Sequence, residues 1–448
     1  MAFGFFKKTQ TADKIFYNGQ IHTGDPNFPW AEAVACTDGK ITAVGDFDAM
    51  DSLIGRDTEK IDLNGQYLFP GFIDTHRSPV MQVFDGKYIS LSDCKTKEEI
   101  CDKVSSWAQE HLQQEVIFGY GFIEDLEPEK EDLDACCADR PVVLLAESGI
   151  GCAVNTVAEQ IIEETAEEEC VEVVTVSYVL NLLMPFDFEQ VELDVQNMQE
   201  KLAKQGLTTV LNQQTPDYLE SLYQDSMVAL YNEEQLRQRF CGSYLMNRPL
   251  QPRGVVYQLM RRKTNCSELT DVLQANMINV SLNETNCPME FTEDALNQIL
   301  LDVVDKGFQI FIEAYDIKDL RKAYAVAEYI RNKGYKNPIT IASDAQLSAD
   351  ELLQFEHVED INKTCASQIM SETPVISSCG SSAEFIEEMT VHAAEMIGME
   401  NQLGKIEKGF MADFTLFREN PLDQILDDFI NKSSVMTVLG GEIVYRSI

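Results

Sequence analysis

Five histidines and twelve cysteines carry the most versatile chemistry in this 448-residue chain, and their spacing narrows what that chemistry is. Imidazole and thiolate serve as metal ligands, nucleophiles or proton carriers. The cysteines stand at 36, 94, 101, 136, 137, 152, 170, 241, 266, 287, 365 and 379, with one adjacent pair and no Cys-x-x-Cys, so neither a zinc knuckle nor a redox motif is spelled out. They are predicted to be small buried hydrophobes in a reducing, cytoplasmic compartment. Carboxylates are abundant: 75 Asp and Glu oppose 35 Lys and Arg, a formal charge of −40. Such a surface repels phosphate backbones and anionic lipid, which excludes nucleic acid and the membrane face as natural partners. A small molecule remains the expected ligand, and a homo-oligomer is compatible with the composition.

The elements that would hold a site can be read from hydrophobic period. The first seventy residues alternate short apolar runs with turn signals, as in Lys14–His22, Ala31–Gly39 and Lys40–Gly45, with Asn18-Gly19 and Asp38-Gly39 predicted as hairpin turns. Ala412–Phe417 and Val435–Tyr445 repeat this style at the other end. Between them Arg140–Leu145, Gly206–Leu211, Gly307–Ile312 and Pro338–Ala342 read as buried strands. Phe291–Lys306 and Lys318–Gly334 read as helices, the second with apolar or small residues at 320, 323, 324, 327 and 330 on one face. This alternation predicts an α/β protein, a (β/α)8 TIM barrel built on a parallel sheet. No window reaches the ~18 apolar residues of a membrane helix, and the opening Met-Ala-Phe-Gly-Phe-Phe-Lys-Lys has the wrong order of charge for a secretory signal.

Four segments together, Ala12–Gly19, Pro29–Ala33, Asp38–Gly45 and Phe69-Pro-Gly-Phe-Ile-Asp-Thr-His76, resemble the amidohydrolase superfamily and its amidohydrolase-3 branch. The similarity continues at Asp139–Leu144, Ala345–Asp350 and Leu403–Phe414. It implies a barrel over 73–403 and a small β-sandwich domain assembled from 1–72 and 404–448. It also implies hydrolysis of non-peptide carbon–nitrogen bonds by a divalent ion, ancestrally zinc, that lowers the pKa of a bound water and polarises the scissile carbonyl.

Position by position the resemblance exposes replacements. The first ligand position holds His76, but Ser78 occupies the second, with Arg77 between them. A neutral hydroxyl is a poor zinc ligand beside imidazole. The bridging lysine of some relatives has no candidate, because 264–305 contains no Lys. Glu313 and Asp344 stand where the two later histidines belong, Gly380 stands at the aspartate that moves a proton, and Ser148-Gly149-Ile150 replaces an Asp-Gly-His. The remaining histidines, 22, 111, 357 and 392, fall in the sandwich or on helices and are assigned structural or surface roles.

These replacements lead to the expectation of a degenerate amidohydrolase, a pseudoenzyme that keeps the fold, lacks the metal-hydrolase site and carries no cofactor. The alternative is an active enzyme using His76, Glu313 and Asp344, either around a harder ion such as Mn or Mg or in metal-independent acid/base chemistry. Cys379, near the last expected barrel strand, is a further nucleophile candidate, without a histidine placed by sequence to activate it. Without a cation the two acids would repel each other, so His76 is expected to hydrogen-bond one of them, unless Phe84 or Tyr315 fills the mouth.

Overall fold

The computed structural model describes residues 11–75, 87–146, 151–169, 174, 176–184, 188–212, 226–246, 252–265, 272–282, 293–343, 345–355, 357–358, 361–364, 379–430 and 432–447. The chain opens with β1 (Lys14–His22), β2 (Trp30–Thr37), β3 (Lys40–Gly45), β4 (Glu59–Asp62) and β5 (Tyr67–Pro70). Asp38 and Gly39, at φ 52° and 74°, make the tight β2–β3 turn that an Asp-Gly pair favours. Asn18-Gly19 does something else. It lies inside β1, where the register against β2 shifts between Tyr17 and Ile21. Asn18 takes φ 57°, and a Cβ on Gly19 would meet the Leu63 side chain at 2.6 Å. The pair is thus a bulge and not a hairpin, and it lets β1 change neighbours, from β4 at residues 14–17 to β5 at residues 20–21.

From β5 the chain enters β6 (Phe72–Asp74) and then makes an excursion through β7 (Ile89–Ser90), β8 (Ile117–Phe122), β9 (Val142–Ala146) and β10 (Cys152–Val154). These four form their own sheet, with β7, β8 and β9 parallel and β10 antiparallel to β9. The Arg140–Leu145 run, expected among the barrel strands, is therefore β9 of a separate sheet. Periodicity identifies a buried strand but not the sheet it joins.

The chain returns with β11 (Leu207–Asn212), β12 (Arg239–Leu245), β13 (Leu273–Ser281), β14 (Gln309–Glu313), β15 (Ile339–Ala342) and β16 (Asn362–Thr364). With β6 they make a seven-stranded, all-parallel sheet in the order β6-β11-β12-β13-β14-β15-β16. Successive strand residues face opposite sides. Ile73, Leu211, Cys241, Met277, Phe311 and Ala342, one from each of β6 and β11–β15, meet in a single buried cluster with Ala393, Met396 and Ile397. Side chains from six neighbouring strands converge this way only if the sheet curls around them. The opposite face, with Ile278, Val280, Ile310, Ile312, Ile339 and Ile341, packs on helices Glu293–Asp305 and Ile317–Asn332. Leu320, Ala323, Tyr324, Ala327 and Ile330 are all buried, as their spacing predicts. The fold is TIM-barrel-like α/β. The segment 374–378, expected as the last barrel strand, lies outside the described residues.

Finally β17 (Phe414–Phe417), β18 (Met436–Leu439) and β19 (Glu442–Arg446) return to the first sheet, giving the order β19-β18-β17-β5-β1-β2-β3 with β4 beside β1. The two ends of the chain pair directly through β17 and β5. Among the described residues no helix is long and apolar enough to cross a membrane.

Candidate functional site

At the C-terminal ends of β13 and β14 a polar group is built into the curled sheet. Met277 and Phe311 face the interior cluster, so Asn279 and Ser281 on β13 and Glu313 on β14 share that face, with Ser281 and Glu313 opposite each other in register. Glu313 is 1% exposed. Burying a carboxylate is costly unless its oxygens find donors. Here Asn279 Nδ2 donates to one oxygen at 2.7 Å and the Tyr315 hydroxyl donates to the other at 2.7 Å. Asn279 is fully buried and Tyr315 is 44% exposed, so the acid is held from both the interior and the rim. Tyr315 therefore acts as a polar partner of Glu313 and not as an apolar plug.

His76, Ser78, Asp344, Phe84 and Ser148-Gly149-Ile150 lie outside the described residues. Gly380 is exposed just ahead of helix Ser382–Glu387, its N–H donating to Glu384 Oε2 at 2.6 Å while Ser381 caps the helix. Cys379 is half-buried against the cluster that contains Phe72 and Phe385. The other histidines are scattered. His22, at the end of β1, stacks on Phe69 at 4.9 Å, and burial lowers its pKa. His111 stacks on Trp107 at 3.9 Å. His392 contacts Glu388 at 2.9 Å, and that hydrogen bond raises its pKa. His357 sits in a turn and not on a helix. Among the described residues the cysteines also depart from expectation: Cys36, Cys94, Cys137 and Cys241 are buried, but Cys101, Cys136, Cys152 and Cys379 are only half-buried.

Asn279 escaped the sequence reading because β13 itself did, and Tyr315 was read as an apolar plug and not as a donor to Glu313. A signal was present, since Met277-Ile-Asn-Val280 places one amide in an apolar, β-prone run, where a polar side chain must find a partner.

The lineage is now clear. A model of the amidohydrolase family matches residues 59–362 and a second matches 320–444. The first covers more than half of the chain, which belongs to the amidohydrolase family. The chain is 29% identical over 154 residues to Protein LONG AFTER FAR-RED 3 of Arabidopsis thaliana, a stretch covering 34% of this chain and 26% of that protein. It is 30% identical over 152 residues to YtcJ of Bacillus subtilis, which bears the name of an amidohydrolase, covering 33% and 29% respectively. The matched stretch thus spans less than a third of either relative. An uncharacterized metal-dependent hydrolase from Pyrococcus horikoshii shares the fold, with a TM-score of 0.62 at 15% identity over 92% of this chain and 99% of the other.

These similarities correct one expectation. The replacements along the strands argued for no cofactor, yet the solved fold relatives are metal-dependent hydrolases. Among them is a structure of atrazine chlorohydrolase TrzN from Arthrobacter aurescens complexed with zinc (TM-score 0.51, 12% identity, 97% and 95% covered). The metal that these fold relatives carry stands against the expectation of no cofactor. The expectation failed because a change of ligand type is not a loss of ligand: a carboxylate can replace an imidazole. Glu313 fits such a role. Its two donors orient it as outer-shell partners orient a ligating carboxylate.

Proposed function

We propose that this amidohydrolase-family chain is a hydrolase of non-peptide carbon–nitrogen bonds whose divalent ion is held by an altered ligand set, with Glu313, His76 and Asp344 as its candidates. The observation that carries the reading is Glu313, a fully buried carboxylate at the C-terminal end of a parallel strand with a hydrogen-bond donor on each oxygen. Active sites of TIM barrels gather at that end of the strands. When bound, the ion supplies Lewis acidity and a water of lowered pKa. A set richer in carboxylate oxygen suits Mn or Mg better than an all-imidazole set does.

The chain's own residues do the rest. Asn279 fixes the orientation of the Glu313 carboxylate from inside the sheet, and Tyr315 fixes it from the rim. Ser78 and Gly380 complete the expected ligand-binding positions. The same proposal takes the curled sheet as a closed (β/α)8 barrel over 73–403, and the sheet of the two chain ends as a composite sandwich of 1–72 and 404–448.

Metal analysis of protein purified without chelators, with an assay panel of N-acyl and N-formyl amines, tests this. The expected result is a stoichiometric divalent metal and an activity lost on chelation and regained on reloading. Tyr315→Phe should weaken metal affinity by about 10- to 100-fold, and Glu313→Ala should weaken it further. Protein without metal, inert on the whole panel and unaffected by added Zn, Mn or Mg, would leave a chain that has kept the fold and lost hydrolysis.

A further inference from the structure

Away from the strand ends, the excursion sheet carries two half-buried thiols on different helices. Helix Lys97–Glu110 and helix Lys130–Cys136 pack together through Ile100, Val104 and Leu133, all fully buried in one cluster. Cys101 follows Ile100 at the rim of that contact, and Cys136 closes the second helix. Cys136 Sγ lies 3.1 Å from the Asp132 carbonyl and 3.5 Å from the Cys101 carbonyl. Cys136 Sγ thus reaches across from the second helix to the backbone of Cys101 on the first.

We propose that Cys101 and Cys136 form a dithiol site that closes into a reversible disulfide by exchange with a small-molecule disulfide, tying the two helices together. A disulfide needs its sulfurs about 2 Å apart with the β-carbons about 4 Å apart. With Cys136 Sγ 3.5 Å from the Cys101 carbonyl on packed helices, side-chain rotation is the movement that closure requires. The adjacent Cys137 is turned elsewhere, buried and donating to Asp139 Oδ1 at 3.3 Å.

The chemistry balances in two exchanges. The Cys136 thiolate attacks one sulfur of the small disulfide, whose S–S bond breaks and releases one thiolate. Cys101 then gives its proton to solvent and attacks the Cys136 sulfur, displacing the second thiolate. Two protein thiols are oxidised, and one small disulfide is reduced to two thiols. Burial and the neighbouring Cys136 push the Cys101 thiol up to about 12, so it is the resolving partner and not the first attacker.

The test is to incubate the native full chain with excess oxidised glutathione near pH 8, quench with acid and alkylating agent, and map the peptides without reduction. The expected product joins the peptide of Cys101 to that of Cys136, disappears after dithiothreitol, persists in Cys137→Ser and is absent in Cys136→Ser. The proposal is overturned if Cys101 and Cys136 remain alkylated while the glutathione is competent on a control dithiol. It is equally overturned if fragmentation places the bond at Cys137 or between two chains.

Discussion

Arg239 and Asp413 are 174 residues apart in sequence and form a buried ion pair, Nε to Oδ2 at 2.7 Å and Nη2 to Oδ1 at 3.0 Å. Both side chains are about 5% exposed or less. Asp413 Oδ1 also accepts the Gly440 N–H at 2.7 Å, so one carboxylate serves the base of β12 and the β18–β19 turn. Removing one member strands the other charge in a dry site, a cost of about 3–5 kcal/mol. Asp413→Ala should lower the urea midpoint by that equivalent. The double variant Arg239→Met/Asp413→Leu should lose less than Asp413→Ala, because it buries no orphan charge, although the Gly440 N–H still lacks its acceptor. A single-variant loss below about 1 kcal/mol would contradict this. The aspartate was legible in the Leu403–Phe414 resemblance, but its partner was not, since nothing in local spacing marks an arginine 174 residues away.

Two glycines end helices in the same way and differ only in what surrounds them. Gly206 precedes β11 at φ 86° and Gly307 precedes β14 at φ 81°. A Cβ on Gly206 would lie 2.4 Å from the Thr415 methyl, whereas one on Gly307 would meet nothing within 4 Å. Gly307→Ala should cost about 1–2 kcal/mol for the left-handed backbone alone. Gly206→Ala should cost an additional ~1–3 kcal/mol for crowding, and Thr415→Ser in that background should recover part of it. Equal losses in denaturant melts would sink this reading. Element identity was largely readable: the helix over Ile317–Asn332 shows its stripe, and β11, β14 and β15 show apolar runs. What escaped was partnership. Asn18-Gly19 carries a hairpin signal but is used as a bulge, because Leu63 packs against it and two strands share β1. Glu313 was placed by resemblance, while its donor Asn279 was not, because β13 was not recognised as the neighbouring strand.

At the scale of the molecule, a charge of −40 makes the compact state repel itself. Raising NaCl from about 0.01 M to about 0.15 M shortens the Debye length from about 30 Å to about 8 Å. The melting temperature should therefore rise over that range, and a flat or falling value would show that local ion pairs outweigh the overall charge. Connectivity acts at this scale as well. β6 and β11 are hydrogen-bonded neighbours with the whole excursion sheet between them in sequence, so closing that pair is a long-range event that slows folding. The pairing of β17 with β5 adds a clock. Synthesis runs from β1 towards β19, so β5 is made before the whole parallel sheet and its partner only after it. Until then β5 presents an open edge with Leu68 and Phe69 beside it, the kind of surface that recruits other chains. Throughout that interval the protein holds an unfinished sheet, and a chaperone or a slow stretch of translation that shields this edge would decide how much of it reaches the native state.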